Sequence, residues 1–239
     1  LKGIVARGGA YRVRAAEPAK FARVKKKGVL QINSNPVTSE YFRRYGTASN
    51  VDICNRGGLL PVNNFRGRSD IRAEAVSGRA MAERYRTKPS TCKPCSILCG
   101  HKGSLPDGTV HQVPEYESVG LLGPNLGIYD PDSIVAMNDL CNELGMDTVS
   151  AGGTLGWAME AGEKGLYRTE LAFGKIEKIL KTLENIGNAR GNDAELGGGS
   201  RKMAEKYGGG DFAVHVKGLE LAAYDPRGSW GQGLGYAVA

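Results

Sequence analysis

Residues 130–147 read DPDSIVAMNDLCNELGMD, and no other run restricts the possible folds so firmly. Asp130 offers a side-chain oxygen to the unpaired N–H groups that open a helix. Pro131 suits the first helical position, because its fixed φ is already helical and its missing N–H would have had no partner there. Ile134, Met137, Cys141 and Leu144 recur at helical spacing and share one face. Gly145 supplies a left-handed stop. A second run, GKIEKILKTLENIGN, repeats the pattern: Ile176, Ile179, Leu180, Leu183 and Ile186 line one side, with lysines and glutamates opposite. Apolar stripes of this kind must be buried against other elements, so the chain needs a helical core.

Further helices are expected in EPAKFARVKKKGVLQI, where Pro18 fits the first position, and in SDIRAEAVSGRAMAERYRTKPS, TLGWAMEAGEKGL and SRKMAEKYGG. Residues 33–67, rich in Asn, Gly, Pro and aromatics, read as short helices joined by loops. LPDGTVHQVPEYE reads as a small hairpin with Asp107 and Gly108 at its turn. The opening LKGIVARGGAYRVR reads as two short strands about Gly8 and Gly9. Gly197 to Gly199 form a break, since each glycine costs a helix about 1 kcal/mol. The expected class is mostly α, with a short β segment at the N-terminus.

Thirty-two basic and 25 acidic residues leave a net charge of +7. That balance favours an anionic partner: an acidic protein, nucleic acid or a phosphate-bearing cofactor. Aromatics are only 7% and the basic residues are dispersed, which argues against nucleic acid. No apolar run approaches the ~18 residues of a membrane span, and the first residues lack a signal-peptide core. The five cysteines, at 54, 92, 95, 99 and 141, are too few and too clustered for a secreted disulfide scaffold, so a cytoplasmic setting is expected.

Three of them, Cys92, Cys95 and Cys99, fall in the stretch STCKPCSILCG with the spacing C-x2-C-x3-C. A soft thiolate set selects zinc or an iron–sulfur cluster. Zinc would take His101 or His111 as fourth ligand, whereas a zinc ribbon would need a second C-x2-C, which does not follow. An incidental reduced loop is the plain alternative. Arg79, Arg84, Arg86, Lys88 and Lys93 flank the triplet. They read either as a solvated face or as cations that ease reduction of an anionic cluster and attract an acidic electron carrier.

The C-x2-C-x3-C loop is followed, in order, by PEYES, CNELGMDTVSAGG, EAGEKGL and HVKGLELAAYDPRG, with LKGIVARG and LPVNNF before it. This collinear set resembles the aldehyde ferredoxin oxidoreductases, the tungstopterin enzyme family, over nearly the whole chain. The resemblance implies the end of an N-terminal β domain over 1–16, a helical middle domain carrying the iron–sulfur loop over 17–222, and the start of a C-terminal helical domain over 223–239. It implies oxidation of a small aldehyde to a carboxylic acid at a tungsten bis-pterin (molybdenum being possible), with electrons passing through a 4Fe-4S cluster to ferredoxin or another acidic carrier. Oligomers of like or unlike chains are expected. In the family pattern a fourth cluster cysteine, the first pterin loops and a second Asp-containing pterin loop lie outside the stretch matched here. A non-catalytic iron–sulfur electron-transfer or scaffold module is therefore the alternative.

By the same resemblance, Cys92, Cys95 and Cys99 match cluster ligands. Asp147, Thr148, Ser150 and Gly152, in DTVSAG, match a pterin loop. An aspartate can accept pterin N–H groups, a serine offers a hydroxyl and a glycine admits close backbone approach. Glu117 matches a glutamate beside the metal, where a carboxylate could act as general base. Glu115 would share its face if the segment were a strand. Lys217, in HVKGLE, is a charge partner for a pterin phosphate, as is Arg227.

Overall fold

A computed structural model describes residues 4–9, 14–105 and 108–239, and it is mostly helical. The expected strands at the N-terminus are not borne out. Residues 4–9 have no regular structure, and Ile4 and Val5 are 82% and 99% exposed. A strand is held by a partner's hydrogen-bond ladder, and the first strand of the described chain lies much later, at Lys88–Pro89. Residues 1–3 and 10–13 lie outside the described residues.

Helix α1 (Pro18–Ser34) starts at the expected proline and has no buried residue. A π-helical turn (Val37–Phe42) leads into α2 (Arg43–Tyr45), then α3 (Asn50–Arg56). The SDIRAEAVSGRAMAERY stretch is helical in two pieces. A 3-10 turn (Ile71–Val76) ends at Ser77, whose hydroxyl accepts from Ala80 N at 3.2 Å and caps α4 (Gly78–Tyr85). Three short antiparallel strands follow: β1 (Lys88–Pro89), β2 (His101–Ser104) and β3 (Val110–Gln112), in the order β1-β2-β3. The β2–β3 pair is the expected hairpin; Gly108 has φ 84°, and Asp107 lies outside the described residues.

The core is built from α5 (Tyr116–Leu122), α6 (Pro131–Leu144), α7 (Thr148–Glu163) and α8 (Ile176–Gly187). Helix α6 obeys its sequence signals: Asp130 Oδ2 accepts from Ser133 N at 2.9 Å, and Gly145 is left-handed at φ 66°. Its predicted face is buried at Ile134, Met137 and Cys141, while Leu144 packs where a side chain on Gly187 of α8 would otherwise stand. Helix α7 is enclosed on all sides from Gly152 to Ala161, as befits an apolar helix at the centre of a domain. A Cβ on Gly152 would sit 2.5 Å from the Leu121 carbonyl oxygen, so α5 and α7 approach at backbone distance there.

The LPVNNF motif plugs into this centre. Asn63, Asn64 and Phe65 are all left-handed, with φ 49°, 56° and 59°. Such a run is costly for Phe and is held by its surroundings. Asn64 N donates to Asn125 O at 2.9 Å, Phe65 N to Asn125 Oδ1 at 3.2 Å, and Asn64 Nδ2 to the buried Glu160 of α7 at 2.8 Å. The glycine run interrupts helix as expected: a 3-10 segment (Asn192–Gly198) ends at Gly199, φ 86°, and α9 (Ser200–Tyr207) begins after it. A two-residue hairpin joins β4 (His215–Val216) to β5 (Leu219–Glu220), and the exposed α10 (Trp230–Val238) closes the chain.

Candidate functional site

The thiol loop stands on a two-stranded stem. Lys88 pairs with Lys102 and Pro89 with His101, and Ser90 N donates to Gly100 O at 2.7 Å to close the base. Within the loop Cys95 N donates to Cys92 O at 2.8 Å, a tight turn across the x2 spacing. Cys92 and Cys95 are exposed and Cys99 is half-buried. Burial, the charge of Glu115, and the other two cysteines hold the Cys99 thiol above its ordinary pKa. Both histidines considered as a fourth ligand are engaged elsewhere. His101 is buried, with its ring nitrogens 3.0 Å from the carbonyl oxygens of Cys99 and Arg43. His111 meets Asp139 through Nδ1 and lies 2.6 Å from Thr109 Oγ1 through Nε2. Among the described residues no three His, Cys, Asp or Glu side chains are gathered in metal-holding geometry, so the thiols form a soft donor set on one loop rather than a preassembled cage.

The cationic flank divides. Arg84 is drawn away to Asp132 of α6, and Arg79 stacks over Tyr45, 5.6 Å from its ring centroid. Lys88, Lys93 and Lys102 form no ion pair among the described residues and are exposed. Arg43 ties the loop to α1, donating to Ser96 O at 2.9 Å and to Asn33 Oδ1 at 2.8 Å.

The second set of residues meets where α5, α7 and the 221–225 segment converge. PEYES is a helix start, not a strand. Glu115 precedes α5 and accepts from the Thr47 hydroxyl, while Glu117 sits in the first turn, so the two do not share a face. Glu117 Oε2 accepts from Ala223 N at 2.7 Å. Burial raises its pKa, the Ala223 N–H offsets part of that, and the nearby Asp147 charge adds to it. Tyr116 clamps the same residue from its other side, donating to Ala223 O. The Tyr224 ring lies 5.0 Å from that of Tyr116, and burial together with the Glu117 charge pushes the Tyr224 hydroxyl up to about 12. Burial also raises the Cys54 thiol, which meets the Tyr116 hydroxyl. These neighbours of Glu117 are scattered through the sequence: PEYES, CNELGMDTVSAGG and HVKGLELAAYDPRG carry all of them except Cys54, and no string showed that they meet.

Asp147 follows the stop of α6 and caps α7: Oδ1 accepts from Ser150 N at 2.7 Å, and Oδ2 has no hydrogen-bond partner among the described residues. Thr148 Oγ1 lies 2.8 Å from Ser118 Oγ, which joins this cap to α5 one residue from Glu117. Asp147, Ser150 and Thr154 open onto a cavity of about 180 Å³ whose far wall includes Gly197 and Gly199. Gly152 does permit close backbone approach, but the backbone that approaches is Leu121. Lys217 stands exposed at the tip of the β4–β5 turn, φ 53°, away from any ion pair among the described residues, and Arg227 is held by Asp225 and the Phe65 carbonyl. Glu220 was not anticipated. It receives Ser200 N at 2.7 Å, Ser200 Oγ at 2.8 Å and Thr154 Oγ1 at 3.4 Å, and so fastens β5 to α7 and α9.

The model for aldehyde ferredoxin oxidoreductase, domains 2 and 3, matches residues 23–239, and the chain belongs to that family. It is 42% identical over 237 residues to a tungsten-containing aldehyde ferredoxin oxidoreductase of Pyrococcus furiosus, with 96% of this chain and 39% of the relative covered. The counterpart in Thermococcus kodakarensis is 41% identical, with 96% and 39% covered. The chain thus spans about two-fifths of the length of these curated relatives. Among solved structures, the active-site complex BamBC of benzoyl coenzyme A reductase shares the fold, with a TM-score of 0.67 at 19% identity over 86% of this chain and 34% of that one.

Proposed function

We propose that this chain contributes the iron–sulfur loop and one pterin-binding loop to an enzyme that oxidises aldehydes to carboxylic acids. The family match over 23–239, joined to the meeting of Glu117 and Asp147 at one helix junction, carries the reading. The overall change is RCHO + H2O → RCOOH + 2 e⁻ + 2 H⁺, and the two electrons leave singly for ferredoxin or another acidic one-electron carrier. A tungsten bis-pterin, or its molybdenum counterpart, supplies the two-electron oxidation when bound.

The donor sets suit these groups. Three thiols on one loop match an iron–sulfur cluster better than zinc, since both histidines are otherwise bonded. Cys99 would hold the cluster as its thiolate, although burial and the Glu115 charge raise the pKa of its free thiol. Asp147 keeps one carboxylate oxygen free to accept pterin N–H groups while the other stiffens the loop as a helix cap. Thr148 and Ser150 add hydroxyls beside it, Gly152 sets the spacing of α5 to α7, and Lys217 is an exposed cation for a phosphate. Glu117 is the proton acceptor: its raised pKa makes it a stronger base than an ordinary carboxylate, and Ala223 N–H fixes its position. The division near residues 16 and 222 belongs to the same reading.

Metal analysis of the full-length protein after anaerobic purification tests this. About four irons and about one tungsten or molybdenum per chain are expected, and Cys95→Ala should lose the iron and its visible absorption. Zinc alone, or a Cys95→Ala protein with all its iron, would overturn it.

A further inference from the structure

The stem beneath the thiol loop carries an arrangement that costs stability. Lys88 and Lys102 are directly opposite each other in an antiparallel pair, so their side chains share a face. Like charges placed so are destabilising. Both are exposed, and neither has an ion-pair partner among the described residues. The next residue across from Lys102, on β3, is the neutral Gln112. Lys93, between the first two cysteines, adds a third exposed, unpaired cation. Chain length sets the distances: Lys102 is three residues from Cys99 and Lys88 four from Cys92, so their Cα atoms lie within about 11 and 14 Å even when fully extended.

We infer that Lys88 and Lys102 form the docking face for the acidic one-electron carrier. This rests on the reading of Cys92, Cys95 and Cys99 as cluster ligands. The paired lysines offer two fixed positive charges on a short, hydrogen-bonded stem, and an acidic surface relieves their repulsion as it binds. The two most exposed thiols, Cys92 and Cys95, lie on the loop that this stem carries, so a carrier docked on the stem stands beside the loop that holds the cluster. Each docking event transfers one electron, and two carriers are reduced for each aldehyde oxidised; the two protons go to solvent.

The test uses the full-length holoenzyme carrying Lys88→Glu and Lys102→Glu, with Lys93 untouched. The second-order rate of reduction of an acidic iron–sulfur carrier protein is measured against ionic strength, beside reduction of an uncharged quinone dye. The carrier rate should fall by about tenfold or more at low salt and lose most of its salt dependence, because steering by charge is screened by salt. Dye reduction and iron content should not change. In the parent enzyme, saturating carrier should protect both lysines from acylation. An unchanged carrier rate and salt slope, with iron intact, overturns the docking face alone. So does protection of both lysines in the free enzyme, which would mean that another part of the protein covers them. A parent enzyme without iron on the loop overturns the cluster reading as well.

Discussion

Glu117 concentrates the chemistry of the junction in one side chain. Its carboxyl is raised above the ordinary value of 4.5, chiefly by burial. The folded state therefore holds the Glu117 proton more tightly than the unfolded chain. Stability contributed by this group is present at low pH and is lost as pH rises through the raised pKa. Glu117→Gln keeps an oxygen to accept from Ala223 N and removes the charge. The variant should be more stable than the parent at about pH 7, with the gap closing as pH falls toward about 4. Urea midpoints at the two pH values check this, and a gap that widens on acidification would refute it. Aldehyde oxidation should be lost at either pH. The identity of Glu117 as a candidate came from the family string PEYES. Its environment did not, because Ala223 and Asp147 reach it from distant parts of the chain.

Helices supported by local signals were readable, and elements that needed a partner were not. Helix α6 needed only Asp130, Pro131, its apolar face and Gly145, all within eighteen consecutive residues. Most of PEYES fell within the stretch read as a hairpin, and the helix wins because Tyr116, Val119, Leu121 and Leu122 are buried where α5 packs on α7 and its neighbours. The packing of that pair predicts a sharp cost at Gly152. A methyl group would meet the Leu121 carbonyl oxygen at 2.5 Å, and backbone cannot swing aside as a side chain can. Gly152→Ala should lose about 1–3 kcal/mol by denaturant titration, despite alanine's better helix propensity. A gain in stability would show that α5 and α7 are not packed backbone to backbone.

At the scale of the molecule, α7 is the axis around which the rest is arranged. Trp157 is fully buried on it, its ring 5.9 Å from that of Tyr167 and 6.4 Å from that of Phe212, with Nε1 donating to Gly209 O at 3.3 Å. Trp157→Ala should cost about 3–5 kcal/mol through lost contacts and a cavity, read as a lower urea midpoint. A loss below about 1 kcal/mol would mean that α7 is not central to the fold. No described helix is long and apolar enough to cross a membrane. The sequence by itself determined the helical class, most helix positions, the thiol spacing and, through its collinear motifs, the family. Those features depend on local periodicity, caps and short strings. Tertiary structure alone decided that LPVNNF is a left-handed plug on Asn125 and Glu160, that Glu220 ties three elements together, and that both histidines beside the thiols are occupied. Each depends on groups far apart in the chain, and which distant groups meet is settled only when the core closes.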